Sequence, residues 1–205
     1  MKRSMFAVIT AASVGLAACG EDATSPENTN LTQAEAEALA TILLTQSYEN
    51  TQGAEPAAGG PQAGPVNLET TVDFSAPCPL GGSVAVSADI TIIGDSELEG
   101  GTIDYTMTQT HQSCVAQDET SGMTFTLNGN PNMTTEVTFE NDGLGNLAID
   151  GTVQGNIAWS KEDKSGTCAI TLSFTGSGNQ TSGVGSSTAS GTVCGVSVSE
   201  QLTVG

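Results

Sequence analysis

The chain has 205 residues, with 23 acidic and only four basic side chains and a net charge of −19. Phosphate binding needs a basic footprint, so nucleic acid is excluded as a natural partner. The five cysteines and one histidine also leave little for zinc, and there is no C-x-x-C.

The chain opens with Lys2 and Arg3, followed by an uncharged run from Ser4 to Ala18 rich in Ala, Val and Ile. That run is too short for a membrane span of ~20 residues and fits the apolar region of a signal peptide. It ends in Leu16-Ala17-Ala18-Cys19-Gly20, which resembles the lipobox of bacterial lipoproteins. The resemblance covers residues 1–20 only. It implies cleavage after residue 18 and a diacylglyceryl thioether on Cys19. It also implies lipid anchorage in the bacterial cell envelope. Gly20 rather than Asp follows the cysteine, which directs the expectation to the outer membrane, on its periplasmic face or at the cell surface. Cleavage removes Lys2 and Arg3 and leaves Lys161 and Lys164 against all 23 acids.

Residues 19–30 are polar and aperiodic and read as a lipidated tether. A helix is expected over residues 31–49. Thr32 and Glu35 form a capping box, Leu31 can staple onto Ala36, and Ala38, Leu39, Ile42 and Leu43 make a one-sided apolar stripe. Residues 50–65, rich in Pro, Gly and Ala, read as a linker.

From residue 66 to 205 the period changes from 3.6 to 2. Apolar residues alternate with Thr, Ser and Asp in eight runs: Leu68–Phe74, Val84–Ile92, Ile103–Met107, Met123–Leu127, Met133–Phe139, Leu147–Trp159, Ile170–Phe174 and Val196–Val204. Short connections such as Asn141-Asp142-Gly143 and Ser165-Gly166 join antiparallel neighbours. The fold expected is mainly β: an antiparallel up-and-down curved sheet or barrel of about eight strands, or a two-sheet sandwich, with one N-terminal helix packed on it. Gly151 and Gly155, at inward positions, mark a bend or a close approach by another element such as the helix.

With Cys19 taken by lipid, Cys78, Cys114, Cys168 and Cys194 remain, an even number in an exported chain. The preferred pairing is Cys78–Cys114 and Cys168–Cys194, each pair bracketing a hairpin. Direct opposition of Cys168 and Cys194 would set Ile170 against Thr192 and Leu172 against Ser190. Direct opposition of Cys78 and Cys114 would set Val86 against Thr106, a mismatch. That ladder therefore needs a bulge, or the bridge lies outside it.

No catalytic residue, cofactor or metal site is expected. Gly81-Gly82-Ser83-Val84-Ala85 opens a strand and lacks the helix of a nucleophile elbow. Gly143-Leu144-Gly145-Asn146-Leu147-Ala148 lies between strands and reads as a turn. His111 reads as an exposed or edge histidine. The acidic groups Asp95/Glu97/Glu99, Asp118/Glu119, Glu140/Asp142 and Glu162/Asp163 read as solvated turns, with Lys161 and Lys164 making local ion pairs at most. The inward faces read as apolar almost throughout, with Glu200 the only inward carboxylate.

The function expected is a non-enzymatic, lipid-anchored envelope protein with a structural, adhesive or binding role. A carrier for a small apolar ligand, held between sheet and helix, is the first alternative. A surface protein that binds divalent cations is the second.

Overall fold

The computed structural model describes residues 31–54, 66–94, 100–129, 133–179 and 184–204. Lipobox, Cys19 and tether lie outside them, as do most of the linker and the Asp95/Glu97/Glu99 group.

One helix, α1 (Gln33–Gly53), precedes nine strands. They are β1 (Val66–Pro77), β2 (Gly81–Gly94), β3 (Gly101–Gln117), β4 (Thr124–Asn128), β5 (Met133–Asn141), β6 (Asn146–Lys161), β7 (Lys164–Asn179), β8 (Val184–Val193) and β9 (Val196–Val204). All pairings are antiparallel, in the order β1-β2-β3-β4-β6-β7-β8-β9, with β5 also between β3 and β6. β4 opposes the end of β3, from Cys114 to Gln117, while β5 opposes its start, from Gly101 to Gln109. The two therefore share one position end to end, and nine strands fill eight places in an up-and-down sheet.

Eight periodic runs do not coincide with these nine strands, because β8 has no periodic run of its own. In its sequence, VGSSTASGTV, Ala189 and Val193 are the only described side chains buried in the core. Small residues there carry too little apolar contrast to announce a strand.

The strands bury one face. Val84, Val86 and Ile90 of β2, Tyr105 and Met107 of β3, Phe125 and Leu127 of β4, Val153, Ile157 and Trp159 of β6, and Ile170 and Leu172 of β7 all point inward. Opposite faces carry Thr, Ser and acids, which suit a pleated surface in water. At Gly151 the close approach comes from within the sheet. A Cβ there would lie 2.4 Å from Phe174 Cζ and 2.5 Å from the Glu136 carbonyl oxygen. The neighbour is β7 and not the helix, because Gly151 and Phe174 are directly opposed.

α1 begins as its sequence demands. Thr32 caps it, and the reciprocal bonds of the capping box with Glu35 are both made. Two expectations need correction. The helix continues past Glu49 to Gly53, because Asn50 and Thr51 are buried and the Asn50 carbonyl accepts from Ala54 N–H. Its burial is also not one-sided. Ala36, Ala38, Leu39, Ala40, Ile42, Leu43, Leu44, Gln46 and Ser47 are all buried. The stripe through Gln33, Glu37, Thr41, Thr45 and Tyr48, with Ala34, Glu49 and Gly53 beside it, meets solvent or lies half-buried. A helix buried on most of its circumference is enclosed rather than laid on a surface. The curved sheet wraps it. Gln33 Nε2 donates to the Ser197 carbonyl of β9 (2.8 Å), while Gly53 packs on the Phe74 ring of β1.

Candidate functional site

The inward face of β3 reads Tyr105, Met107, Gln109, His111 at alternate positions, and all four are buried. His111, expected at an exposed edge, is 2% exposed. β3 runs six residues beyond it, so the ring sits inside the sheet rather than at a strand end. The inward face is therefore not wholly apolar. Gln109 and His111 of β3 and Thr135 of β5 meet Gln46 and Ser47 of α1 in the interior, and Asn50 and Thr51 of α1 are buried as well.

The contacts form two linked sets. Gln109 Nε2 donates to Ser47 Oγ and to Thr135 Oγ1, both at 3.3 Å, and the two hydroxyls lie 3.2 Å apart. His111 Nε2 donates to Gln46 Oε1 (3.1 Å), and Gln46 Nε2 donates to Cys114 Sγ (3.2 Å). This fixes the imidazole tautomer and leaves Nδ1 as a bare acceptor with no partner among the described residues. Burial holds the ring neutral by lowering its pKa from 6.5 to about 4. Desolvation of the charged form is the cause.

Next to Cys114 the alternation of β3 shifts. Ser113 takes a left-handed φ of 49°, and Asn128 Oδ1 accepts its N–H (2.8 Å). Opposite, Gly82 has φ 76°, and a Cβ on it would stand 2.0 Å from the Ser113 oxygen. The β2–β3 register slips between Gly81 and Ser83. This bulge turns Cys114 inward. Its partner Cys78 lies beyond β1 in a turn closed by Gly81 N–H on the Cys78 carbonyl. Both devices open to this bridge are thus used. The ladder slips, and the bridge lies outside it. The Cα atoms are 5.5 Å apart. Beside it a cleft of about 110 Å³ is lined by Gln46, Asn50, Phe74, Pro77, Cys78 and Pro79, among others. Asn50 Nδ2, also buried, has no partner among the described residues.

The second bridge, Cys168–Cys194, has a Cα separation of 4.8 Å. Its ladder is one residue off the expected one: Ile170 faces Val193 and Leu172 faces Gly191. Apolar Val193 is the better partner for Ile170 in the core. Cys194 then falls in the β8–β9 turn with φ 54°, beside Gly195 at 78°, and donates its N–H to the Ala169 carbonyl.

Lys161 and Lys164 do more than pair locally. Lys164 Nζ lies 3.0 Å and Lys161 Nζ 3.5 Å from Glu35 Oε1, tying the β6–β7 turn to the start of α1. Thr32 N–H first, then Lys164 and the Thr32 hydroxyl, hold the Glu35 carboxyl down to about 2, against the opposing effect of burial. Asp118, expected in water, is buried and accepts from the Ser121 amide (2.8 Å) in the β3–β4 turn. Asp142 organises the β5–β6 turn. The Asn146 side chain first, then Leu144 N–H, lower its pKa. Glu200 is half-buried; desolvation, then Glu37 and Asp118, raise its pKa. Ser83 stands in the β2–β3 bulge, and Leu144 is 83% exposed at the tip of its turn.

Among the described residues, no three His, Cys, Asp or Glu side chains are placed to hold a metal ion, and no helix is long and apolar enough to cross a membrane. No family model matches the chain, and no match is found among curated proteins or solved structures.

Proposed function

We propose that the chain is a lipid-anchored protein of the bacterial envelope whose β domain acts as a non-enzymatic structural, adhesive or binding module. The lipobox supplies the anchor in this reading. The observation that carries the rest is the enclosure of α1: the sheet is filled by its own helix and fastened by two bridges. Its presented surface is then the outer face, lined by Thr and Ser with Glu69, Asp73, Asp89, Glu136 and Asp150 exposed among them. Fractionation tests the anchor. Wild type should take up labelled fatty acid and sediment with membranes, while Cys19→Ser should do neither. A Cys19→Ser protein that still carried label would remove the anchor from the reading.

The ligand-carrier reading draws on one further observation. At the end of the sheet away from Cys114, Leu68, Ile92, Ile103, Phe139 and Ile149 stand side by side across five strands on the inner face. Leu68 is 42% exposed and the others are half-buried. Native mass spectrometry of protein isolated without reductant separates the two readings. The mass of the bare oxidised chain supports the module. An added small molecule lost on denaturation supports the carrier.

A further inference from the structure

Two features converge on one disulfide. The cleft beside α1 has Cys78 in its wall, together with Pro77 and Pro79. On the far side of the bond, Cys114 is fully buried and receives the Gln46 amide, which His111 in turn orients. Cys78 belongs to the wall of the cleft, and the sulfur of Cys114 faces a donor.

We propose that Cys78–Cys114 is a thiol–disulfide exchange site, opened by a dithiol partner at Cys78 while Cys168–Cys194 stays closed. A thiolate of the partner attacks Cys78 Sγ and forms a mixed disulfide. The Cys78–Cys114 bond breaks, and its electron pair leaves on Cys114 Sγ, where Gln46 N–H stabilises the thiolate. The partner's second thiolate then attacks the partner sulfur of the mixed disulfide and expels Cys78 as thiolate. The partner ends oxidised, and protons from solvent complete both cysteines of this chain. Leaving-group stabilisation sets the rate of such exchange together with access. At the second bridge, attack on Cys194 would expel Cys168, which is buried in the apolar core. Access alone gives the opposite order, because Cys194 is half-exposed whereas Cys78 is 8% exposed. Opening Cys78–Cys114 would leave the β1–β2 turn held to β3 by the Leu80 N–H on the Val115 carbonyl, beside the cleft lined by Gln46 and Asn50. The module would then loosen under reducing conditions at one end only.

The test is stepwise exposure of the oxidised full-length protein to reduced glutathione or dithiothreitol, then alkylation and mass mapping of the peptides. The expected result is a first glutathione adduct on Cys78 and alkylated Cys114, with Cys168–Cys194 intact. A first adduct on Cys194 or Cys168, or both bridges opening together, would overturn the proposal. Gln46→Leu should slow opening about five- to tenfold, the worth of roughly one hydrogen bond. An unchanged rate in a variant with native Trp159 fluorescence would remove Gln46 from the mechanism. The wild-type mapping decides the order of opening even if that variant does not fold.

Discussion

The two halves of α1 are held in different ways. The first half sinks Leu39, Ile42 and Leu43 into apolar core and clamps Glu35 between Thr32 and two lysines of the β6–β7 turn. The second half buries Gln46 and Ser47 against Gln109, His111 and Thr135, and buries Asn50 and Thr51 as well. Apolar burial is strong but non-directional. A buried amide or imidazole contributes less net free energy but is costly when misplaced, so it fixes position and rotation. The first half supplies most of the helix's hold on the sheet. The second determines how the helix is seated.

The comparison breaks most clearly in the first half. Leu39→Ala removes a fully buried side chain and should cost about 2–5 kcal/mol in a urea melt of the oxidised protein. A loss below that of a polar substitution in the second half would reverse the assignment.

Acid should loosen the halves in different windows. His111 has a folded pKa of about 4 against 6.5 unfolded. The unfolded chain binds the proton first, so stability falls as pH drops from 6.5 towards 4. Glu35 has a folded value of about 2 against 4.5. Its contribution is full above 4.5 and is lost as pH falls towards 2. Glu200, with its value raised, works the other way: acidification relieves first its burial penalty and then its repulsion from Glu37 and Asp118. Urea melts at pH 7, 5 and 3 should therefore show two separate declines. His111→Gln should abolish the first and leave the second.

Gln109→Leu, in the second half, should cost about 1–3 kcal/mol, at the lower end because Ser47 and Thr135 still satisfy one another. Replacing Gln109, Ser47 and Thr135 together by apolar residues should cost less than the sum of the single changes, measured as a multiple-mutant cycle. Strict additivity would show that the three do not form a network. Smallest is Thr32→Ala, expected to cost about 1 kcal/mol through loss of the cap. Hydrogen exchange should show that loss confined to the first turns of α1.

Much of this was legible because it is local. The capping box lies within four residues, and strand alternation needs only neighbours two apart. The four cysteines Cys78, Cys114, Cys168 and Cys194 make an even set, and both expected pairs sit at disulfide distance. His111 was misread for the same local reason. Its neighbours Gln109, Gln112 and Ser113 are polar, and nothing nearby in sequence announces Gln46, 65 positions earlier. An inward parity continued from Met107 through Gln109 was the available signal. The lysines were misread likewise, since Glu35 stands 129 positions from Lys164.

The sequence by itself determined the chemistry of the described segments: one capped helix, and strands with one apolar face. Those properties come from side chains within a few residues of each other. Only the tertiary structure decided that β4 and β5 share one position, that the sheet encloses the helix, and that a polar seat lies inside. These depend on which distant side chains meet, and on the slips at Ser113 and Cys194 that choose which of them turn inward.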